Sequence, residues 1–450
     1  MIYSFLKRII RITLFVFFKK IVVNGKDNIP TKGPLIIVAN HPNTFMDPMI
    51  IVSITKQRLG FVGNGGIFVN KIVNSILTFF HVIPIYREKD RAPGEKQDNS
   101  KAFEKCHDYL NDKRSFLIFP EGNSYYELNL REIKTGTARI ALSFEALKNF
   151  NTGLKIVPIA LDYSDALQFR SIVSVTVNPP MDIAVYKDNY ETDELTAIRQ
   201  LTEDIRSELA QNVTQTSGKK QEAFLIRAHK FYSTYHEPSA NLYKNPKRSL
   251  ELRNNLSKAL YFLKDSNPKL YETIENELHS YFTELKKEKL TPGFFTDQFI
   301  RKNTVMVFVN YFLKFIILLP VYIFGLLTHY LPYILPYRIF KSLRIDIEYK
   351  TPVQMVAGVI TFPLFYTLEI WLFRYFISQE FYLTCLMLVV LPVTGYITMY
   401  YWLILQRFVR VVHFYFFIKI KRKKNLIKQR NILLNHLESA KTVYFNKQEK

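Results

Sequence analysis

The chain has 450 residues, of which 48% are hydrophobic, and a formal net charge of +22. This composition excludes a disordered chain, and the length allows two or three domains. The charge indicates a polyanionic partner, and long apolar segments favour anionic membrane lipid over nucleic acid, for which the sequence carries no motif. The two cysteines, Cys106 and Cys385, lack metal-ligand spacing, so we expect neither a metal site nor a disulfide framework. We also expect no cofactor.

The first segment, 1–24, predicts an amphipathic helix that lies in the membrane interface. It begins MIYSFLKRIIRITLFVFFKK and has no small-residue site for cleavage of a signal peptide. At about 100° per residue, polar and cationic side chains fall on one side of the helix, and apolar side chains lie off that side. The alternative is a terminal helix that packs on the protein. The polar set is Ser4, Lys7, Arg8, Arg11 and Lys19, and the apolar set is Ile2, Phe5, Ile9, Leu14 and Phe17.

Residues 25–190 alternate between strand and helix patterns and form the expected catalytic domain. Four short apolar segments end at turn residues, as buried strands do: PLIIVAN, RSFLIFP, LKIVPIAL and VSVTVNPP. The alternation predicts an α/β domain with a mostly parallel sheet flanked by helices, which binds ligands beyond the carboxyl ends of its strands. Pro158 lies inside one predicted strand and indicates an edge or a bulge.

The remaining chain divides into a charged helical region, 191–302, and an apolar membrane region, 303–406. Two segments of the membrane region, 353–377 and 381–405, are each long enough to span a bilayer. Cations outside them predict a transmembrane hairpin with both ends in the cytosol. Because the cations before 303 are then also cytosolic, we expect a re-entrant or broken helix at 305–336. A basic cytosolic tail, 407–450, completes the expected organisation.

The segment VANHPNTFMDPMII places His41 and Asp47 between a predicted strand and a predicted helix. Asp47 precedes Pro48, a pattern favoured where a helix begins, so we expect Asp47 to cap the helix PMIIVSI. A loop of this length can return the carboxylate to the imidazole, and a histidine oriented by a carboxylate can act as a general base toward a hydroxyl. Taken alone, the loop also fits a simple helix cap and a surface histidine.

Three later segments help to decide between a catalytic pair and a simple helix cap. They are HVIPIYREKD with Arg87, FLIFPEGNSYYE with Glu121 and Gly122, and KIVPIAL. With the His41 segment and in this order, they resemble the four sequence blocks of the glycerolipid acyltransferase family, which makes phosphatidic acid and remodels lysophospholipids. The resemblance covers residues from about 25 to 180 well and the C-terminal third loosely. It favours the catalytic interpretation of His41 and Asp47.

Two departures from the common family pattern indicate a subgroup. Five residues rather than four separate His41 from Asp47, and FPEG is followed by NS rather than by Thr-Arg. Both features resemble the yeast-type glycerol-3-phosphate/dihydroxyacetone-phosphate acyltransferases and their bacterial relatives. That subgroup also carries membrane segments after the catalytic domain. Its blocks match Asn43 in the first segment and Ser124 and Lys134 in and after the third.

The resemblance implies direct acyl transfer from a thioester to an alcohol, with His41 and Asp47 as the catalytic pair. Backbone N–H groups near Glu121 and Gly122 are candidates for stabilising the tetrahedral oxyanion. Arg87 and Lys134 are candidates for binding an acceptor phosphate, since arginine offers a bidentate fork and lysine a point charge. The residues expected to bind substrate are Asn43, Arg87, Glu121, Gly122, Ser124 and Lys134.

The expected function is a membrane-bound acyltransferase of phospholipid biosynthesis, with its catalytic domain on the cytosolic face. The donor is acyl-CoA or acyl carrier protein, and the acceptor is glycerol-3-phosphate or its 1-acyl product, lysophosphatidate. The alternative enzyme is a lysophospholipid or other lipid O- or N-acyltransferase with the same His-Asp mechanism. A lipid-binding or scaffold protein that retains the fold without turnover is a further alternative.

Overall fold

The computed structural model describes residues 2–67, 70–86, 99–236, 245–295 and 304–448. The chain divides into two compact units. The first unit comprises Met1–Thr216 together with a short distant segment, Asp346–Pro352. The second comprises Ser217–Ile345 and Val353–Lys450.

An eight-stranded sheet forms the centre of the first unit, as the strand–helix alternation predicts. Its strands are β1 (Lys20–Asn24), β2 (Leu35–Ala39), β3 (Leu59–Asn64), β4 (Val82–Ile85), β5 (Ser115–Ile118), β6 (Lys155–Tyr163), β7 (Ile172–Val177) and β8 (Met181–Asp182). The order across the sheet is β1-β7-β6-β2-β5-β3-β4, with β8 beside β6. Paired strands are parallel except that β6 is antiparallel to β7 and β8.

The central strand β2 is buried along its whole length. Its sequence LIIVA is continuously apolar because parallel sheets are covered on both faces. Pro158 was expected at an edge or a bulge, but β6 is an interior strand in which Pro158 pairs with Val38 of β2. On its other side, the partner of β6 changes from β8 at Ile156 to β7 at Ile159. A proline, which has no N–H to donate, fits this discontinuity.

The helices described in the first unit are α1 (Ile2–Phe17), α2 (Met46–Ile54), α3 (Lys71–Phe79), α4 (Ser100–Asn111), α5 (Gly136–Ala146), α6 (Lys187–Thr192) and α7 (Glu194–Ala210). Helix α7 was expected in the separate helical region. Instead, Leu201 and Ile205 of α7 are buried in the same core cluster as Ile140 of α5 and Phe116 of β5. The sheet domain therefore continues to Thr216, because the apolar stripe of α7 is buried against it.

The second unit is helical in the part that the structure describes. Its helices are α8 (Lys219–Tyr235), α9 (Pro246–Ser266), α10 (Pro268–Lys287), α11 (Thr304–Leu343), α12 (Lys350–Phe376), α13 (Phe381–Val412) and α14 (Ile420–Gln448), with the start of α12 in the first unit. The segment 407–450 was expected to be a basic tail, but α14 buries Leu426 and Leu433 beside Leu278 of α10. Arg422 of α14 also pairs with Glu284 of α10.

Within the described ranges, three helical segments are long and apolar enough to cross a membrane: Phe308–Leu343, Ile347–Phe376 and Phe381–Phe417. The expected re-entrant or broken helix at 305–336 is a continuous helix here, although it contains three prolines. Pro336 has no N–H for the carbonyl of Pro332, and the Thr361 hydroxyl donates to that carbonyl at 3.1 Å. Side-chain donors of this kind let apolar helices tolerate proline.

Candidate active site

The carboxyl ends of three adjacent strands bring the candidate residues together. Strand β2 is paired in parallel with both β5 and β6, so the ends of all three strands meet at one edge of the sheet. The side-chain amide of Asn40, directly after β2, pairs with both the N–H and the carbonyl of Leu161 in β6, at 2.7 and 2.9 Å. These bonds extend the ladder by one residue and fix the point at which the His41 loop begins.

His41 and Asp47 are in direct contact. The Nδ1 atom of His41 lies 2.8 Å from Oδ2 of Asp47, whose side chain is fully buried. Oδ2 also accepts the N–H of Asn43 at 2.8 Å, and Oδ1 accepts the hydroxyl of Tyr163 at 2.5 Å. Helix α2 begins at Met46, so Asp47 lies in its first turn and is not the N-cap that the sequence predicts. The carboxylate is therefore directed at the histidine loop.

This arrangement fixes the protonation pattern of the imidazole. A carboxylate only accepts hydrogen bonds, so the Nδ1 atom of His41 carries the proton and Nε2 presents a lone pair. The side chain is 17% exposed, and its ring stacks on Phe119 with centroids 3.8 Å apart. In the part of the chain that the structure describes, Nε2 has no protein hydrogen-bond partner. His41 is thus arranged to accept a proton from a bound hydroxyl.

Tyr163 is a site residue that sequence reasoning missed. Burial and the neighbouring Asp47 carboxylate raise the pKa of Tyr163 well above its ordinary value, so its hydroxyl stays protonated and donates to Asp47. The sequence signal that could have identified it is its position as the last residue of β6. Phe119, which stacks on the His41 ring, is a second site residue that the sequence did not identify. It directly follows the end of β5, within the FPEG segment.

Glu121 connects two loops. Its Oε1 accepts the N–H of His41 at 2.8 Å, and its Oε2 accepts the N–H of Arg131 at 3.1 Å. Burial raises the pKa of Glu121, and these two hydrogen bonds oppose that shift. Gly122 has a φ of 73°, which favours glycine, and its N–H donates to the carbonyl of Phe119 at 3.0 Å. In this structure the Gly122 N–H therefore closes the turn that follows β5.

Asn43 and Ser124 both hold the histidine loop. The Asn43 side chain is only 1% exposed, and its Nδ2 donates to the carbonyl of Ala166 at 2.9 Å. The Ser124 hydroxyl accepts the N–H of Thr44 at 2.9 Å, where the backbone has a φ of 34°. A positive φ at a β-branched residue is strained, so such bonds are needed to maintain the loop.

The distant segment Asp346–Pro352 completes the support of this loop. The fully buried hydroxyl of Thr351 lies 2.8 Å from Oδ1 of Asn43 and 2.9 Å from the carbonyl of Ala166. The Thr44 hydroxyl donates to the carbonyl of Glu348 at 3.1 Å. These contacts join residues between 185 and 308 positions apart, and no local sequence pattern could have revealed them.

The two cations expected to bind the acceptor phosphate are Arg87 and Lys134. The Lys134 side chain is 67% exposed and lies 3.5 Å from Glu132, while its backbone N–H donates to the carbonyl of Pro120. Arg87 lies outside the described residues. Arg131, a cation that no sequence motif identifies, stacks over the ring of Tyr125 at 3.4 Å near the FPEG turn. Among the described residues, no cluster of His, Cys, Asp and Glu is arranged to hold a metal ion.

Comparison with known proteins adds an independent finding. Residues 20–162 match the family model described as Acyltransferase. The chain is 28% identical over 196 residues to a 1-acyl-sn-glycerol-3-phosphate acyltransferase of Borreliella burgdorferi, covering 42% of this chain and 72% of that protein. It is 22% identical over 297 residues to glycerol-3-phosphate O-acyltransferase 1 of Saccharomyces cerevisiae, covering 47% of this chain and 39% of that protein.

Two further similarities have been found. A chloroplastic 1-acyl-sn-glycerol-3-phosphate acyltransferase of Arabidopsis thaliana is 28% identical over 145 residues, which cover 32% of this chain and 36% of that protein. The chain therefore spans less than half of the plant and yeast relatives. The crystal structure of the acyltransferase PlsC from Thermotoga maritima aligns with a TM-score of 0.33 and 18% identity, over 45% of this chain and 74% of that one.

Proposed function

We propose, from the acyltransferase-family domain formed by residues 20–162, that this chain transfers an acyl group from a thioester to a hydroxyl of glycerol-3-phosphate or of 1-acylglycerol-3-phosphate. The observation that carries the proposal is the 2.8 Å contact between His41 and the buried Asp47 at the carboxyl edge of the sheet. The two acceptors are those named for the bacterial and yeast relatives.

In the proposed reaction, the acceptor hydroxyl lies against Nε2 of His41. Nε2 takes the hydroxyl proton as the oxygen forms a bond to the thioester carbonyl carbon, and Asp47 stabilises the imidazolium that results. Collapse of the tetrahedral intermediate breaks the carbon–sulfur bond. The imidazolium then returns the proton to the departing thiolate. Transfer is direct, because a general base and a reactive thioester need no acyl-enzyme.

The polar residues around the pair act mainly by holding its geometry. Asn43, Glu121 and Ser124 each use their side chain in a hydrogen bond to a backbone group near His41, so we assign them a positioning role. The acceptor phosphate is assigned to Arg87 and Lys134, which supply the positive charge that a phosphate requires. The exposed position of Lys134 leaves its amino group able to reach a ligand.

The proposed setting is a membrane with the sheet domain on its cytosolic face. Three apolar helices of sufficient length support an integral membrane protein. The cations that flank the hairpin support the cytosolic orientation. Acyl-CoA and acyl carrier protein are the two candidate donors.

An acceptor screen tests the proposal. Purified full-length protein would be incubated with radiolabelled acyl-CoA or acyl carrier protein and, in turn, glycerol-3-phosphate, dihydroxyacetone phosphate, 1-acylglycerol-3-phosphate and lysophosphatidylcholine. We expect product with phosphate-bearing glycerol acceptors. Turnover confined to lysophosphatidylcholine would favour the lysophospholipid alternative, and absence of turnover with every pair would favour a non-catalytic lipid-binding protein.

A further inference from the structure

Helix α1 has three distinct sides. The first is buried in the protein through Leu14 and Phe17. The second is exposed although it is apolar, and the third carries the cations predicted from the sequence. At about 100° per residue, the cationic side lies directly beside the exposed apolar side. The exposed apolar residues are Ile2, Phe5, Ile12, Phe15 and Val16, with exposed fractions from 43% to 75%.

The cationic side of α1 lines a cavity of about 390 Å³ together with the chain that follows α2. Lys7 donates to the carbonyl of Thr55 and Arg11 donates to the carbonyl of Ser53 at 2.9 Å, so both cations meet the C-terminal end of α2. These bonds fix the cavity, since cations are favoured at that end of a helix. The lining residues are Tyr3, Ser4, Lys7, Arg8, Arg11, Thr55, Lys56 and Arg58.

The described residues that line the cavity concentrate positive charge. Five of its eight lining residues are Lys or Arg, and none is Asp or Glu. Burial lowers the pKa of Lys7, and the nearby charges of Arg11 and Lys26 lower it further. Arg58 lies over the ring of Tyr3 at 5.3 Å, which holds one guanidinium in the cavity wall. An anion that entered the cavity would relieve this repulsion.

The cavity is separate from the active site. Asp47 lies in the first turn of α2, and Thr55 follows the last turn of the same helix. At about 1.5 Å per residue, some 12 Å of helix separates the two. The cations of this cavity therefore have no direct part in holding the substrate at His41.

We propose that this cavity binds the phosphate headgroup of an anionic membrane lipid. The charge of the cavity selects an anion, and the exposed apolar side of α1 beside it would enter the acyl-chain region while the cations stay at headgroup level. A free phosphate would satisfy the charge alone. The adjoining apolar surface favours the lipid, because it provides a place for the chains.

Calorimetric titration of the full-length protein in neutral detergent tests this inference. The probes are dihexanoyl phosphatidylglycerol, dihexanoyl phosphatidylcholine and inorganic phosphate. We expect phosphatidylglycerol to bind at least tenfold more tightly than either of the others. Equal binding of the two lipids would overturn the charge argument. Inorganic phosphate binding as tightly as phosphatidylglycerol would show an anion site with no preference for lipid.

A charge-matched pair of variants locates the binding. Arg8→Gln/Lys56→Gln/Arg58→Gln removes three exposed cations of the cavity. We expect it to weaken phosphatidylglycerol binding at least tenfold. The control, Lys101→Gln/Lys105→Gln/Lys113→Gln, removes three exposed cations in and just after α4, and should change binding less than twofold.

Equal losses in the two triple variants would mean that net charge alone attracts the lipid, which would overturn the site. If the cavity variant does not fold, Arg8→Gln alone decides the question, with an expected loss of about threefold. An unchanged affinity in that folded variant would also overturn the site. The result is independent of acyl transfer, because none of the substituted residues touches the His41 loop.

Discussion

The position of the Asp47 carboxylate depends on a small number of individual hydrogen bonds, one of them from Tyr163. Three donors hold the Asp47 carboxylate, and only the one from His41 belongs to the predicted pair. The sequence identifies His41 and Asp47 because chemistry restricts the residue types of a base and its orienting acid. The end of β6 places Tyr163 at the same edge of the sheet, but this position alone does not connect it to Asp47, since any donor there could hold the carboxylate and no spacing rule relates the two segments.

Replacing Tyr163 with Phe removes one donor from Asp47 and keeps the ring that packs beside it. A hydrogen bond to a charged group contributes about 1.5–3 kcal/mol. If about 1.4 kcal/mol of this energy positions the carboxylate in the transition state, kcat falls about tenfold. We expect KM for the acceptor to stay within twofold, because the hydroxyl faces Asp47. Steady-state kinetics at saturating donor would measure the two effects, on kcat and on the acceptor KM, separately. A rise in KM with unchanged kcat would contradict the assigned role.

A substitution at Glu121 distinguishes a residue that holds the His41 loop from one that contacts the substrate directly. Glutamine keeps one acceptor oxygen but replaces the other with an amide donor, which cannot accept the N–H of either His41 or Arg131. One buried N–H loses its partner at a cost of about 1–3 kcal/mol. We expect Glu121→Gln to lower the thermal midpoint and to speed amide exchange at His41 or Arg131. Unchanged exchange together with a raised acceptor KM would instead indicate direct contact with substrate.

Among the elements, the segment Asp346–Pro352 is the largest departure from the sequence-based expectation. The sequence places it between apolar helices, and the structure places it in the sheet unit beside the histidine loop. Local patterns predict helices and strands well, because hydrophobic periodicity is local. They cannot predict that Thr351 meets Asn43, since that contact depends on where two distant elements end. The same limit explains why the sequence predicts a basic tail at 407–450 but not the packing of α14 on α10.

Thr351→Val tests whether this element supports catalysis. Valine matches threonine in shape and removes the hydroxyl that lies between Asn43 and Ala166. We expect kcat to fall about tenfold, because the Asn43 side chain loses a partner and the His41 loop becomes less ordered. Thr361→Val is the matched control, since the Thr361 hydroxyl of α12 donates to the carbonyl of Pro332 in α11, away from the His41 loop. Equal losses in the two variants would remove the case for a specific role of Asp346–Pro352.

At the scale of the whole molecule, the contact between Thr351 and Asn43 constrains topology. The linker between α11 and α12 must lie on the same face of the membrane as the His41 loop. Sequence alone predicts that the other end of the hairpin, the turn at 378–380, is on the opposite face, because it carries no cation. It could not predict the form of α11, since proline breaks a helix only where its freed carbonyls find no other donor.

Cysteine labelling in sealed inside-out vesicles would check this arrangement. The background is Cys385→Ser, and Cys106 stays because burial raises the pKa of its thiol to about 12 and keeps it unreactive. We expect an impermeant maleimide to label Asp346→Cys and Lys113→Cys to the same extent and Gln379→Cys only after detergent is added. Labelling of Asp346→Cys that differs from that of Lys113→Cys would contradict the shared face.

A double-variant cycle at His41 and Asp47 tests the central claim most directly. If the two residues act as one unit, their effects on kcat are strongly non-additive. We predict that His41→Ala lowers the rate of acyl transfer at least ~1000-fold and that Asp47→Asn lowers it about 100-fold or more, as expected for coupled acid–base residues. The double variant should be no slower than His41→Ala. Each variant must keep the circular dichroism spectrum of the wild type. Undiminished turnover by folded His41→Ala, or losses that simply multiply in the double variant, would contradict the proposed mechanism.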